Sequence, residues 1–389
     1  MKVVVEKKEF VSAMSDVLKI VPKKAIIPMV EYALMKVSLG ENGEPGKIVI
    51  CGTDLVHMIF KSIPAKVEGE AKDVIFNIQK MHDLCKKISD NAISFEIKEK
   101  SISIKSVTGK YDILTGDNPT LFPIIAFTED DKKSAKVFTM PTAMLSNVVS
   151  RSSKYIDIND TLRPTLHNVY MVVGNKTTDI YSANTQFMVR MNINFSNEES
   201  LDTMISHSSV KFLGLLNDEQ SIIATAPGIY SIVSGNTKII VRGVEGKYPA
   251  IDGHFDRILT DAKEGYISFD FSKEMFIGSL ERIKSLSNVN YPIVSFTFDK
   301  AELKIKLEDT ESGVSGEERC ECIINSDNKI KVCFNLNFLL TVINTFEEDT
   351  INFKLLDTND VVAKPVVLSQ TTESNTIDTI LLPVTYVKE

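Results

Sequence analysis

The residues that could do chemistry in this chain are few, and their spacing assembles no reaction centre. Five cysteines stand at positions 51, 85, 320, 322 and 333, and five histidines at 57, 82, 167, 207 and 254. Cys320-Glu321-Cys322 puts two thiols on one face of a strand, half of a zinc site. A tetrahedral zinc needs two further ligands, and no second cysteine pair or neighbouring histidine supplies them. The histidines have no ligand spacing and read as surface or core residues. Thr53-Asp54 could present a carboxylate, but an aspartate at a strand end also closes a turn by accepting backbone N–H groups, and that simpler reading is preferred. Glu129-Asp130-Asp131 and Glu347-Glu348-Asp349 read as solvated loops. The sequence has no phosphate-cradling glycine loop, no dinucleotide fingerprint, no paired-histidine zinc motif and no nucleophile elbow. The expectation is a protein that is not an enzyme and uses no metal or cofactor.

Phosphate contact is the chemistry the charges do support. Acidic residues outnumber basic ones 52 to 44, a net charge of −8, so the chain as a whole repels nucleic acid and anionic membrane at long range. Basic residues nevertheless gather on the polar faces of expected helices. They are Lys7, Lys8, Lys19, Lys80, Lys86, Lys87, Arg151, Lys154, Lys211, Lys273, Arg282 and Lys284, with Lys23 and Lys24 in a loop. Any one of them serves as an ordinary solvated charge. A bias shared by several helices gives one surface a local positive potential, felt by phosphates within a Debye length of ~8 Å.

The helices themselves follow from apolar spacing. Phe10, Ala13, Met14, Val17 and Leu18 form one stripe, stopped by Pro22. Asn77 caps a second helix, with Ile78, Met81, Leu84, Cys85 and Ile88 inward. Thr142 opens a third with Met144, Leu145, Val148 and Val149, and Val210, Leu213 and Leu216 mark a fourth. Met275, Phe276, Leu280 and Ile283 face inward in a fifth over Lys273 to Leu286. A sixth, from Asn335 to Phe346, carries Leu336, Leu339, Leu340 and Ile343. Alternating runs, such as Tyr32 to Val37 and Tyr291 to Phe298, read as strands between them.

This order repeats. Gly109 to Pro123 and Gly235 to Pro249 are equally long, and each ends in an aromatic-proline pair. Proline leads into an alternating strand at Pro28, Pro164 and Pro292. Such periodicity marks a duplicated unit. Thr128 to Ser134 is polar throughout and reads as a linker. The expected division is 1–127, 135–253 and 260–389, each an α+β domain with two helices packed on antiparallel sheets. Apolar residues make up 43% and charged ones 25%, a soluble composition. No apolar run reaches the ~20 residues of a membrane helix. Met1 to Glu6 reads as a strand rather than a signal peptide, and cysteines without a framework suit a reducing compartment, so a cytoplasmic protein is expected.

Several segments then fall into a known pattern. They are Pro28-Met29-Val30-Glu31, Gly52-Thr53-Asp54-Leu55, Arg163 to Val169, Gly246-Lys247-Tyr248-Pro249, Phe334 to Leu340 and Leu381-Leu382-Pro383-Val384. In their order and spacing the chain resembles, over its whole length, the bacterial sliding clamp, the beta subunit of DNA polymerase III. That resemblance implies a head-to-tail homodimer with three similar domains per subunit, closed into a ring with helices lining the hole. Double-stranded DNA would be enclosed and touched by weak, water-mediated, sequence-independent phosphate contacts. The ring would tether the replicative polymerase for processive synthesis. Lys24 and Arg163 match basic family positions, and with Lys80, Arg151, Lys154, Lys211 and Arg282 make the expected DNA-facing set. An apolar cleft would take short peptide motifs of the polymerase, clamp loader and repair factors. Its walls by position are Leu166, Ser182, Asn184, Phe187, Pro249, Val362, Leu381, Leu382 and Pro383. The dimer contact would join the edge strand at Tyr111 and Ile113 to the third domain around Leu286.

The departures gather in that cleft. Where the family usually has Thr-Asp-Gly-His-Arg-Leu, this chain has Ser182-Ala183-Asn184-Thr185-Gln186-Phe187. The groove should be narrower and less attractive to acidic peptide groups. Thr385 replaces a common arginine, and Tyr386 to Glu389 runs past the usual stop. The resemblance places the protein in the cytoplasm at the nucleoid, or in host cytoplasm if it is phage-encoded. Two other readings stand beside it. One is a triplicated β-rich structural or interaction protein that does not bind DNA. The other is a hydrolase centred on Thr53-Asp54 or on Cys320 and Cys322.

Overall fold

Five of the six apolar stripes fold as α-helices, and Asn77 and Asn335 cap two of them. The computed structural model describes residues 1–40, 45–116, 118–287, 292–300, 302–309, 313–322, 324, 326–373 and 375–384. Helix α1 (Lys7–Val17) buries Phe10, Ala13, Met14 and Val17. In α2 (Ile78–Lys87), Asn77 accepts the Lys80 N–H, and Ile78, Met81 and Cys85 are buried. Helix α3 (Glu129–Ser134) stands where a linker was expected. Thr128 Oγ1 accepts the Asp131 N–H at 3.1 Å, and the Asp131 carboxylate accepts the Thr128 N–H at 2.8 Å. That reciprocal cap turns an acidic run into a helix start.

Helix α4 (Thr142–Ser152) buries Leu145, Val148 and Val149. Helix α5 (Asp252–Asp261) was not expected from the sequence; its anchor is the fully buried Phe255, with the Arg190 guanidinium 4.9 Å from the ring centroid. Helix α6 (Lys273–Lys284) buries Phe276, Ser279, Leu280 and Ile283, a complete i, i+3, i+4, i+7 stripe. Met275 falls outside that stripe and is 62% exposed, against the expectation. Helix α7 (Leu336–Ile343) is capped by Asn335, which accepts the Asn337 and Phe338 N–H groups. The expected fourth helix is a 3-10 helix, His207–Leu215, burying Ser209, Phe212, Leu213 and Leu215. Three residues per turn line up 209, 212 and 215 and leave Val210 and Leu216 half-buried.

Contacts divide the chain into two compact units, Met1–Ser146 with Ser208–Gly246, and Asn147–His207 with Lys247–Glu389. The first unit holds a five-stranded sheet with Lys110–Leu114 at one edge, and an eight-stranded sheet. In the larger sheet Thr237–Arg242 pairs antiparallel with His57–Pro64, although far from it in sequence. Helix α1 lies close on this sheet. A Cβ at Gly52 would come within 2.5 Å of Val17 Cγ1 and 2.7 Å of Val21 Cγ2, so only glycine admits the helix there.

The second unit repeats the scheme. Its eight-stranded sheet joins Phe187–Ile193 antiparallel to Asn375–Leu381. Its four-stranded sheet runs in the order Val314–Glu321, Glu302–Asp309, Ile293–Asp299, Ile330–Asn335. Phe269, Phe271, Phe276, Phe296, Phe298, Phe334 and Phe353 form a connected core of ring contacts with centroids 4.8 to 6.4 Å apart. Tyr291 and the segment from Thr385 to Glu389 lie outside the described residues.

Candidate functional sites

All the expected cleft residues belong to the second unit. The hairpin of Thr178–Ala183 and Phe187–Ile193 carries Ser182 and Phe187. Its turn is held by Asn184, whose side chain accepts the Gln186 N–H at 2.7 Å and the Phe187 N–H at 3.0 Å. Phe187 sits across from Leu381 in the strand register, and the Leu382 N–H donates to Gln186 O at 2.8 Å. Beyond it the Val384 N–H donates to Cys333 O at 2.8 Å, while Val362 N–H reaches Lys331 O on the same strand at 2.7 Å. Leu166 packs with Tyr181, Ala183 and Tyr248.

Burial sorts these residues. Leu166, Ser182, Phe187, Val362 and Leu381 are buried, and Phe187 meets Tyr155 and Phe338 edge-on at 5.2 and 5.3 Å. Leu382 and Pro249 are exposed, and Asn184 and Pro383 half-buried. Spacing did not single out Tyr170, which stacks on Tyr248 at 4.8 Å and 9° beside the half-buried Met188. The signal was present in an aromatic within the proline-led strand, but its partner lies far along the chain.

The basic residues fall into two groups. Lys24, Lys80, Lys154 and Lys211 are exposed, Lys211 lying 4.7 Å from the Phe212 ring centroid. The three arginines are each held by an acid. Arg151 donates to Thr345 O at 2.9 and 2.6 Å and pairs with Glu347. Arg163 pairs with Asp160 at 2.7 Å and Arg282 with Glu318 at 2.8 Å. Lys154 and Lys284 line a groove with Asn337, Thr341 and Asn344 from α7 and its C-terminal end. Glu281 and Leu340 line the same groove, so a carboxylate stands beside the two ammonium groups.

Tyr111 and Leu286 are 38% and 40% exposed, Ile113 half-buried. Tyr111 and Ile113 are on an outermost strand, and Leu286 lies against another, Val314–Glu321, since a Cβ at Gly316 would be 2.4 Å from Leu286 Cδ1. The cysteines are all free. Burial pushes the thiols of Cys51 and Cys85 up to about 12 and that of Cys322 to about 11, so none of these three is a ready thiolate. Among the described residues no group of three or more His, Cys, Asp or Glu could hold a metal ion, and no helix is long and apolar enough to cross a membrane.

Residues 1–118 match the N-terminal domain of the DNA polymerase III beta subunit, and residues 263–385 match the C-terminal domain of the same subunit. The chain belongs to the DNA polymerase III beta subunit family. A beta sliding clamp of Chlamydia trachomatis is 20% identical over 384 residues, 96% of this chain and 85% of the relative. Two solved family members have the same fold. The DNA polymerase III subunit beta of Pseudomonas aeruginosa has a TM-score of 0.84 at 16% identity, covering 99% of this chain and 100% of that one. The sliding clamp of Bacillus subtilis has a TM-score of 0.83 at 17% identity, with both chains fully covered.

Proposed function

We propose that the protein is a sliding clamp without catalytic activity. Two copies join head to tail in a ring around duplex DNA and tether the replicative polymerase, the clamp loader and repair factors for processive synthesis. The observation that carries this reading is that both terminal domains of the beta subunit are matched, in order, by one chain with the clamp fold over its whole length. Enclosure makes tight contact unnecessary; water-bridged phosphate contacts hold the duplex while allowing it to slip. The family reading divides the chain into domains 1–127, 135–253 and 260–389. It places the protein in the cytoplasm, at the nucleoid.

Lys24, Lys80, Lys154 and Lys211 are the phosphate-facing residues with exposed ammonium groups. Arg151, Arg163 and Arg282 are further phosphate-facing candidates, each with its charge partly offset by a paired acid. The peptide cleft is entered over Leu382, Pro249 and Asn184, with Leu166, Ser182, Phe187, Val362, Leu381 and Pro383 behind or beside them. A few buried anchors of a partner peptide, at ~1.5–3 kcal/mol each, give affinity that still permits exchange. Tyr111, Ile113 and Leu286 form the contact between copies. A triplicated structural protein without DNA has no observation in its favour.

The test is topological. Loaded onto nicked circular DNA, the dimer stays bound through gel filtration, and it is lost when the circle is linearised. A monomer, or a protein indifferent to the cut, overturns the reading.

A further inference from the structure

The turn after Gly52-Thr53 carries more than a turn needs. His57 is 3% exposed; its Nδ1 lies 2.9 Å from Asp54 Oδ2 and its Nε2 lies 2.9 Å from Ser208 Oγ. Asp54 is itself anchored, accepting the Val56 N–H at 3.0 Å and the His57 N–H at 2.6 Å. Phe212 packs edge-on against the imidazole at 4.9 Å. Ser208, near the start of the 3-10 helix, is exposed, and all three polar residues lie in the same compact unit. A carboxylate on Nδ1 keeps the proton there and turns the Nε2 lone pair toward the serine hydroxyl. Burial raises the Asp54 carboxyl, but hydrogen bonds from the His57 ring and from backbone N–H groups outweigh it and hold the group below the usual carboxylate range.

The fold does not require this arrangement. In the second unit's hairpin Asn184 makes the same turn, and Phe187 takes the place of His57, packing on Tyr155 and Phe338. A plain aromatic ring fills that position. An imidazole with a carboxylate on one nitrogen and the hydroxyl of an exposed serine on the other is the arrangement that activates a serine.

We propose that Ser208 is an activated nucleophile, a site at which this clamp is covalently acylated by acyl donors with a good leaving group, such as aryl esters. Ser208 Oγ bonds to the acyl carbon as the bond from that carbon to the leaving oxygen breaks. His57 Nε2 takes the hydroxyl proton and passes it to the leaving oxygen, while Asp54 stabilises the transient imidazolium. The products are acyl-Ser208 and the free phenol or alcohol, with His57 and Asp54 restored. The step is stoichiometric and independent of DNA tethering.

The probe is p-nitrophenyl acetate on the full chain, followed by nitrophenolate release and peptide mass mapping. The expected result is one acetyl group on Ser208, absent in Ser208→Ala. Replacing the base by the residue used in the other hairpin, His57→Phe, should slow Ser208 acetylation by about 10²-fold, the scale of general-base help. Asp54→Asn, which keeps the turn as Asn184 does, should slow it by at least about tenfold. Acetylation confined to lysines overturns the proposal, as does Ser208 acetylation at an unchanged rate in both His57→Phe and Asp54→Asn.

Discussion

Asp54 and Asn184 do the same backbone work at two turns, yet only Asp54 brings a charge, and that difference is measurable through pH. The folded-state pKa of Asp54 is lowered, against about 3.9 for an unfolded aspartate. A depressed carboxylate contributes stability that is present above the unfolded value and is lost as pH falls through the folded one. At pH 7, Asp54→Asn is therefore expected to unfold at lower urea than the parent. The gap should close as pH falls below about 4. Urea midpoints of the two proteins at pH 7 and in acid check it; a gap that persists in acid shows that the carboxylate's charge is not the source. The turn role of Asp54 was legible, since a strand-end Thr-Asp pair has few other uses. Its link through His57 to Ser208 was not, because that contact spans 151 positions and no local spacing encodes it.

Elements were legible where a cap and a stripe agreed. Asn77 and Asn335 each precede an apolar set at helical spacing, and both helices begin where those residues place them. The reading failed where one signal stood alone. Thr128 to Ser134 has no apolar stripe, so its reciprocal cap was hidden in an acidic run. Val210, Leu213 and Leu216 suggested the α-helical period, but the burial of Ser209, Phe212 and Leu215 follows three residues per turn. Edge strands make the sharpest demand at this scale, since unpaired strand edges seek partners. Lys110–Leu114 and Val314–Glu321 are each outermost in their sheets, and Leu286 lies against the second. Leu286→Asp would bury a charge in the proposed contact between copies. The dimer should weaken by at least about 10²-fold, the ~3 kcal/mol of a lost apolar anchor. Analytical ultracentrifugation at micromolar protein should then find monomers with unchanged circular dichroism. A persisting dimer moves the contact elsewhere.

For the whole molecule, repetition was visible in the sequence but the sharing of sheets was not. Thr237–Arg242 completes the sheet of His57–Pro64, and Asn375–Leu381 that of Phe187–Ile193, so each large sheet draws strands from distant stretches. The charge balance poses the remaining problem, because a chain of net charge −8 must still hold an anionic polymer. The proposed ring resolves it by separating retention from affinity. Direct phosphate contact should fall steeply with salt, since log K changes by roughly −0.9 per neutralised phosphate for each unit of log salt. Retention on a closed circle should barely respond, because the duplex cannot leave however weak the contacts become. Replacing Lys24, Lys80, Lys154 and Lys211 by alanine is expected to flatten the salt slope of binding to short linear duplexes. The half-life of the loaded ring on circular DNA should stay within about twofold, since no phosphate contact carries that retention. Salt titration by fluorescence anisotropy on the short duplex, beside gel filtration on the circle, separates the two quantities. If the alanine variant leaves circles as readily as linear DNA, the lysines and not the closed ring are what hold the duplex.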